Sequence, residues 1–216
     1  MATARDVFLT GGTGYMGRRL ISRLAARGHR VRALVRPGSE RRLPDGCEPV
    51  LGDALDAESF ASRVPPADTF VQLVGVAHPS PSKAAEFRRV DLASAKASAE
   101  AAARARVAHF VYVSVARPAP VMKAYQQARA EAEADIRAKG LAATFLRPWY
   151  VLGPGHHWPW LLLPGYWLAE RLPATRETAR RLRPITLEQM LSALVRAVEN
   201  PAAGIRIVET PELRSG

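Results

Sequence analysis

Val7-Phe8-Leu9-Thr10-Gly11-Gly12-Thr13-Gly14-Tyr15-Met16-Gly17 is the stretch whose reading decides the fold. Its first three residues read as a short buried strand. Beyond Gly17, from Arg18 to Arg27, Leu20, Ile21 and Leu24 recur at helical spacing. A strand, a glycine-dense turn and a helix in that order form the setting in which the phosphates of a dinucleotide are held. Two registers fit: Gly12, Gly14 and Gly17 give G-x-G-x-x-G, and Gly11, Gly14 and Gly17 give G-x-x-G-x-x-G. In either, the first glycine permits a tight exit from the strand, Gly14 lets backbone approach a pyrophosphate, and Gly17 lets the helix lie close on the strand. The unpaired N–H groups and positive dipole end of that helix then favour an anion.

Strands and helices continue to alternate downstream. Gly28-His29-Arg30 closes the first helix, Val31 to Val35 reads as strand two, and Pro37-Gly38 ends it. Val50-Leu51 is a short third strand stopped by Gly52-Asp53, with a helix expected from Asp56 to Arg63. Thr69 to Val74 is strand four. The alanine-rich run from Ser82 to Arg106 contains neither glycine nor proline and reads as one long helix. His109 to Val113 is strand five, Lys123 to Lys139 a helix ended by Gly140, and Ala143 to Leu146 strand six. Thr186 stands as the cap of a last long helix to Glu199, and Ile205 to Val208 is strand seven. The spacing predicts an α/β chain: one domain over residues 1–216, a doubly wound parallel sheet of about seven strands in the Rossmann manner. Ligands of such a sheet sit at the carboxyl ends of its strands, which points to Arg36, Asp53, Gly75 to His78, Ser114 and Arg147-Pro148.

Residues 153–183 break the pattern. Three of the four tryptophans, Trp158, Trp160 and Trp167, lie here beside His156 and His157. The segment is expected to form a small C-terminal lid on the substrate side; a dimer patch, a membrane contact and a helical subdomain packed on the sheet are its alternatives.

Composition narrows the classes. The 216 residues suffice for one well-buried core, and 48% hydrophobic with 24% charged residues is ordinary for a globular protein. With Cys47 as the one cysteine, no intrachain disulfide can form, and a reducing cytoplasm is the expected setting. Residues 1–6 do not read as a signal peptide, and no apolar run is long enough for an integral membrane segment. The net charge of +11 comes almost wholly from arginine, since Lys83, Lys96, Lys123 and Lys139 are the only lysines. Those arginines are dispersed, and no recognition helix or RNA-binding motif accompanies them, so nucleic acid is not the expected partner. His78, His156 and His157 have no cysteine or carboxylate at ligand spacing, and no metal is expected.

After strand two an NAD-specific site carries an acidic residue for the ribose hydroxyls. Here stand Val35-Arg36, with Arg32, Arg41 and Arg42 nearby and no carboxylate before Glu40. A guanidinium can pair bidentately with a 2′-phosphate, so NADP(H) is favoured over NAD(H).

The glycine turn, Gly52-Asp53, the strand end Val113-Ser114, Tyr125 followed by Arg129, and Arg147-Pro148 with Gly153-Pro154-Gly155 carry a resemblance over nearly the whole chain. Together they resemble the short-chain dehydrogenase/reductase superfamily in its extended, atypical branch, among compact NAD(P)H-binding proteins of the NmrA-like and complex-I-subunit-like groups. The resemblance implies a cofactor held by Gly11, Thr13, Gly14, Tyr15, Met16 and Gly17, then Arg36, then Asp53 and Ala54, then Val74, Gly75 and Val76, with Arg129 and Pro148 beyond. It implies catalytic roles for Ser114, Tyr125 and Arg129: the tyrosine passes a proton, the serine orients the substrate oxygen, and the residue four beyond the tyrosine holds the nicotinamide ribose and lowers the tyrosine pKa. That last residue is a lysine in the superfamily and Arg129 here. Arginine keeps the charge but does not release a proton, and it is planar and bulkier. Asp53 has a simpler reading too, as a turn-forming or capping aspartate.

Two functions stay open. One is an NADP(H)-dependent oxidoreductase acting on a small carbonyl or alcohol. The other is a non-catalytic NADP(H)-binding redox sensor or assembly factor, which the arginine at 129 favours. A small-molecule substrate is the expected partner, and a homodimer is compatible with either.

Overall fold

The computed structural model describes residues 3–153, 169, 171–173 and 175–215. Its first strand, Asp6–Thr10 (β1), is buried from Val7 onward and runs through the glycine turn into the helix Tyr15–Ala26 (α1). The strands Arg30–Val35 (β2), Cys47–Leu51 (β3), Thr69–Gln72 (β4), His109–Val113 (β5) and Ala143–Arg147 (β6) follow. Between them lie the helices Ala93–Arg104 (α2) and Lys123–Ala138 (α3). Val151–Leu152 (β7) pairs with Ile185–Thr186 (β8) in a small parallel ladder, and Arg176–Leu182 (α4) lies between them in the chain. Leu187–Glu199 (α5), Ile205–Glu209 (β9) and Thr210–Arg214 (α6) complete the described elements.

Seven strands form one sheet in the order β3-β2-β1-β4-β5-β6-β9, and every pairing in it is parallel. Successive side chains of a strand face opposite sides, so the sheet divides two cores. Val7 and Leu9 join the aliphatic side of α1 and α5, with Leu20, Ile21, Leu24, Leu191 and Leu194. Phe8 joins the aromatic side, with Phe70, Phe110, Tyr112 and Phe145 under α2 and α3. Small side chains explain that segregation. Ala95, Ala99, Ala128 and Ala132 let the two helices approach closely, and large rings from the strands fill the space. Phe70 stacks on Phe110 at 5.2 Å between centroids.

Local signals set the ends. Thr186 caps α5: its Oγ1 accepts from the Gln189 N–H at 3.1 Å, and the Gln189 side chain accepts from the Thr186 N–H at 2.9 Å. Three expectations need correction. Residues 56–63 form two 3₁₀ turns, Ala57–Ser59 and Ala61–Arg63, because the segment is too short to repay helix nucleation. The third strand begins at Cys47, earlier than its apolar pair suggests, since an edge strand tolerates Pro49 and exposed Glu48. The helix expected from Ser82 to Arg106 is composite: Ala84–Glu86 leads into a π-helical turn, Phe87–Leu92, before α2. Most of the expected lid, with Trp158, Trp160 and Trp167, lies outside the described residues. Among the described residues no helix is long and apolar enough to cross a membrane.

Candidate functional site

Strand order reverses between β1 and β4, and a cleft opens at the carboxyl ends of these strands. It holds about 390 Å³. Gly11, Thr13 and Gly14 supply one wall, Arg36 and Ser39 after β2 a second, Asp53 and Ala54 after β3 a third, and Val74 and Gly75 after β4 the fourth. The amino end of α1 faces this region with Gly14 as its N-cap, no side-chain cap and no acidic residue in its first turn. Its orphan N–H groups therefore remain for an anion. Gly17 is obligatory here, because a Cβ would overlap the Gly11 carbonyl oxygen.

Arg36 is exposed at the cleft and has no ion pair among the described residues. Its neighbour Arg32 is committed elsewhere, donating to the Arg63 and Val64 carbonyls at 2.6 and 2.5 Å. The Asp53 carboxylate accepts from the Leu55 N–H at 3.0 Å and shapes the turn after β3, where the residue lines the cleft.

Other residues singled out from the sequence do not line the cleft. Tyr15 turns its ring under Arg19, whose guanidinium carbon lies 4.5 Å from the ring centre, and packs beneath Gly153. Met16 packs with Tyr15 against the aliphatic core. Val76 lies just past the cleft wall, its N–H held by Asp91 Oδ2 at 3.0 Å. Pro148 is buried, and its carbonyl accepts from the Ala116 N–H at 3.0 Å.

Arg129 stands behind the cleft wall. Its guanidinium is buried, donating to Asp91 Oδ1 at 2.6 Å and to the Val113 carbonyl at 2.7 Å. It sits so close to Gly75 that a Cβ there would come within 2.5 Å of its terminal nitrogen. Asp91 holds both Arg129 and the Val76 N–H, so the pair braces the backbone that forms the fourth wall. The π-helical turn delivers Asp91 to that position. Burial opposes the charge of Arg129, but Tyr112, Tyr125 and Asp91 around it more than offset this and its pKa is raised.

Tyr125 lies half-buried on the same side of α3, its ring 5.0 Å from Phe87 and 5.0 Å from the Arg129 guanidinium carbon. Burial raises its pKa above the ordinary value, and the opposing pull of Arg129 is the smaller effect. The expected lowering of the phenol pKa is thus outweighed. A neutral phenol can give a proton at neutral pH.

Ser114 belongs to a second buried network. Its hydroxyl donates to Glu133 Oε1 at 2.6 Å. Glu133, one turn beyond Arg129 on α3, is 1% exposed and also receives Arg117 at 2.6 Å and Arg147 at 2.5 Å. Arg147 reaches on to Glu209 at 2.9 Å. Burial would raise the Glu133 pKa, but Arg147, Ser114 and Arg117 together lower it. Asp91, Arg117 and Glu133 were not singled out from the sequence. The one available signal was the helical spacing of Tyr125, Arg129 and Glu133, which stacks three polar residues on one face of α3.

A family model described as NAD(P)H-binding matches residues 11–155. A ceramide reductase from Caulobacter vibrioides is 32% identical over 221 residues, covering 99% of this chain and 67% of that protein. A 3-diazoavenalumate denitrifying reductase from a Streptomyces species is 29% identical, covering 92% of this chain and 73% of that protein. Among solved structures, the Bordetella bronchiseptica enzyme WbmH in complex with NAD+ superposes with a TM-score of 0.69 at 19% identity, over 94% of this chain and 75% of that one. That likeness is one of fold.

Proposed function

We propose, starting from the fact that this chain belongs to the NAD(P)H-binding family and is an atypical protein of the short-chain dehydrogenase/reductase type, that it is an NADP(H)-dependent oxidoreductase acting on a small carbonyl or alcohol. The observation that carries the reading is the cleft at the strand reversal, where an uncapped helix amino end and the exposed Arg36 converge. These residues fit the cofactor: N–H groups of the glycine turn for the pyrophosphate, Arg36 for a 2′-phosphate, and Asp53 beside Ala54 for the adenine side. The cofactor would give or take the hydride. Tyr125, neutral at pH 7, would supply the proton to the substrate oxygen when a carbonyl is reduced. Arg129 would act by holding Gly75 and the Tyr125 ring in place, a positioning role, since its two terminal nitrogens donate to Asp91 and to the Val113 carbonyl. The reductase names of both relatives are in keeping with this direction of chemistry.

The sensor reading is favoured by one specific observation: the Ser114 hydroxyl and the Arg129 guanidinium are both engaged in buried pairs. Single-turnover NADPH oxidation over a panel of aldehydes, ketones and quinones separates the two. Oxidation that falls at least a hundredfold in Tyr125→Phe supports the enzyme. NADPH binding with no oxidation across the panel supports the sensor.

A further inference from the structure

The chain that leads into α3 is gripped by one side chain, Gln126. Its amide is buried and makes three hydrogen bonds to backbone. Oε1 accepts from the Ala119 N–H at 2.9 Å, and Nε2 donates to the Ala119 carbonyl at 3.0 Å and to the Val121 carbonyl at 2.6 Å. Lys123 adds a bond of 2.8 Å to the same Ala119 carbonyl. We infer that Gln126 is a positioning residue for Tyr125, clamping residues 119–122 so that the tyrosine beside it keeps its place as proton donor; the inference rests on the oxidoreductase reading above.

Backbone geometry supports it. Met122, the residue before α3, has φ 59° and ψ 39°, a left-handed conformation in which a Cβ crowds the following carbonyl. Such a conformation persists only where its surroundings hold it. The peptide groups on both sides of Met122 are bonded to Gln126. The Val121 carbonyl accepts from its side chain, and the Met122 carbonyl accepts from its backbone N–H at 3.0 Å. With both planes fixed by one residue, neither dihedral of Met122 can relax alone.

The start of the helix supports it as well. α3 has no side-chain cap at Met122 and no acidic residue in its first turn, so that turn lacks the usual devices against fraying. Tyr125 is the third residue of α3 and lies in that turn. Gln126, one residue on, ties the turn back to the chain that precedes it. Met122 and Tyr125 pack against the same aromatic core, and the Tyr125 ring meets Phe87 edge-on at 5.0 Å. Released, the turn would let the ring move off Phe87 and Arg129 and admit water to the phenol.

The test uses the whole chain and Gln126→Met, which keeps the length of the side chain and removes its three bonds. Gln126→Asn, an amide too short to span both Ala119 and Val121, serves if the methionine variant does not fold. Tyrosine ionisation, followed by ultraviolet absorbance, reads Tyr125 without turnover when each protein is compared with its own Tyr125→Phe counterpart. The phenol should titrate above the ordinary tyrosine value in the starting protein. In either variant it should move down toward that value as water reaches the ring. Turnover of the carbonyl panel at saturating NADPH should fall by about tenfold to a hundredfold, with NADPH affinity unchanged. In a Tyr125→Phe background the same substitution should cost nothing more, since the two residues act as a unit. A Tyr125 titration that neither variant moves, or an equal loss of turnover in both backgrounds, overturns the positioning role. A starting protein that binds NADPH but oxidises it with no carbonyl sinks the oxidoreductase, and the titration still decides the clamp. Turnover that survives Gln126→Met undiminished sinks the clamp alone.

Discussion

Arg36 and Arg32 stand near each other at the second strand, yet only one is available to a ligand. Arg32 spends its terminal nitrogens on two backbone carbonyls and lies 5.6 Å over the Phe8 ring, whereas Arg36 stands exposed at the cleft. A charge-assisted contact to a 2′-phosphate contributes about 1.5–3 kcal/mol, so Arg36→Ala should weaken NADPH binding by roughly tenfold to a hundredfold. NADH binding should hold steady. Titration of both nucleotides into both proteins decides the point, and equal affinities in the starting protein would refute the phosphate argument. Asp91 has a different kind of consequence. Removing it leaves a buried guanidinium unpaired and frees the Val76 N–H, so Asp91→Ala should cost about 3–5 kcal/mol of stability. Arg129→Lys keeps the charge but cannot reach Asp91 and the Val113 carbonyl as one planar fork; chemical denaturation should place it between Asp91→Ala and the starting protein. An Arg129→Lys protein as unstable as Asp91→Ala would show that geometry, not charge, holds the wall.

Elements with local determinants were legible in the sequence. The glycine turn needs only a strand before it and a helix after it, and Thr186 needs only Gln189 three residues on. Two substitutions separate these cases by size. Thr186→Ala should cost about 1 kcal/mol through a lost cap. Gly17→Ala should cost several-fold more and abolish nucleotide binding, because a Cβ meets backbone on both Gly11 and Gly12, which cannot move aside as a side chain would. Paired thermal unfolding and NADPH titration read both; a folded Gly17→Ala protein that binds normally would show that the turn can open. The polar braces were not legible for a physical reason. Asp91 and Arg129 are 38 residues apart, and Ser114 and Glu133 are 19 apart. Their meeting depends on how α3 docks across the ends of β4 and β5, which no local pattern encodes. The π-helical turn was hidden similarly, since an alanine-rich run reads as uniform helix even where one residue is inserted to aim Asp91 inward.

Across the whole molecule, two buried titratable groups lie at opposite ends of the sheet and should make acid unfolding a staged process. His109 opens β5, is fully buried and shares a 2.9 Å hydrogen bond with Thr144. Burial, with the charges of Arg206 and Arg5 adding to it and Asp68 opposing, lowers its pKa from 6.5 to about 4. Between those two values the unfolded chain carries a proton that the folded chain does not, so stability falls as pH drops through this window and is level above it. The full effect is at most about 3 kcal/mol, the width of the window in free energy. Glu133, past the far end of β5, has a lowered pKa; the stability it contributes is present above 4.5 and lost as pH falls through its folded value. The histidine window therefore lies above that of the carboxylate, and the two can be told apart. Urea unfolding from pH 8 to pH 4 should show a decline beginning near neutrality in the starting protein. His109→Gln, which keeps an amide partner for Thr144 but has nothing to protonate, should be flat down to the carboxylate range. Glu133→Gln should instead be destabilised at every pH above 4.5, because Arg117 and Arg147 lose the buried charge they share. A His109→Gln protein whose stability still declines between pH 6.5 and 5 would assign the acid sensitivity to another group, and the net charge of +11, spread over the whole surface, would be the next cause to test.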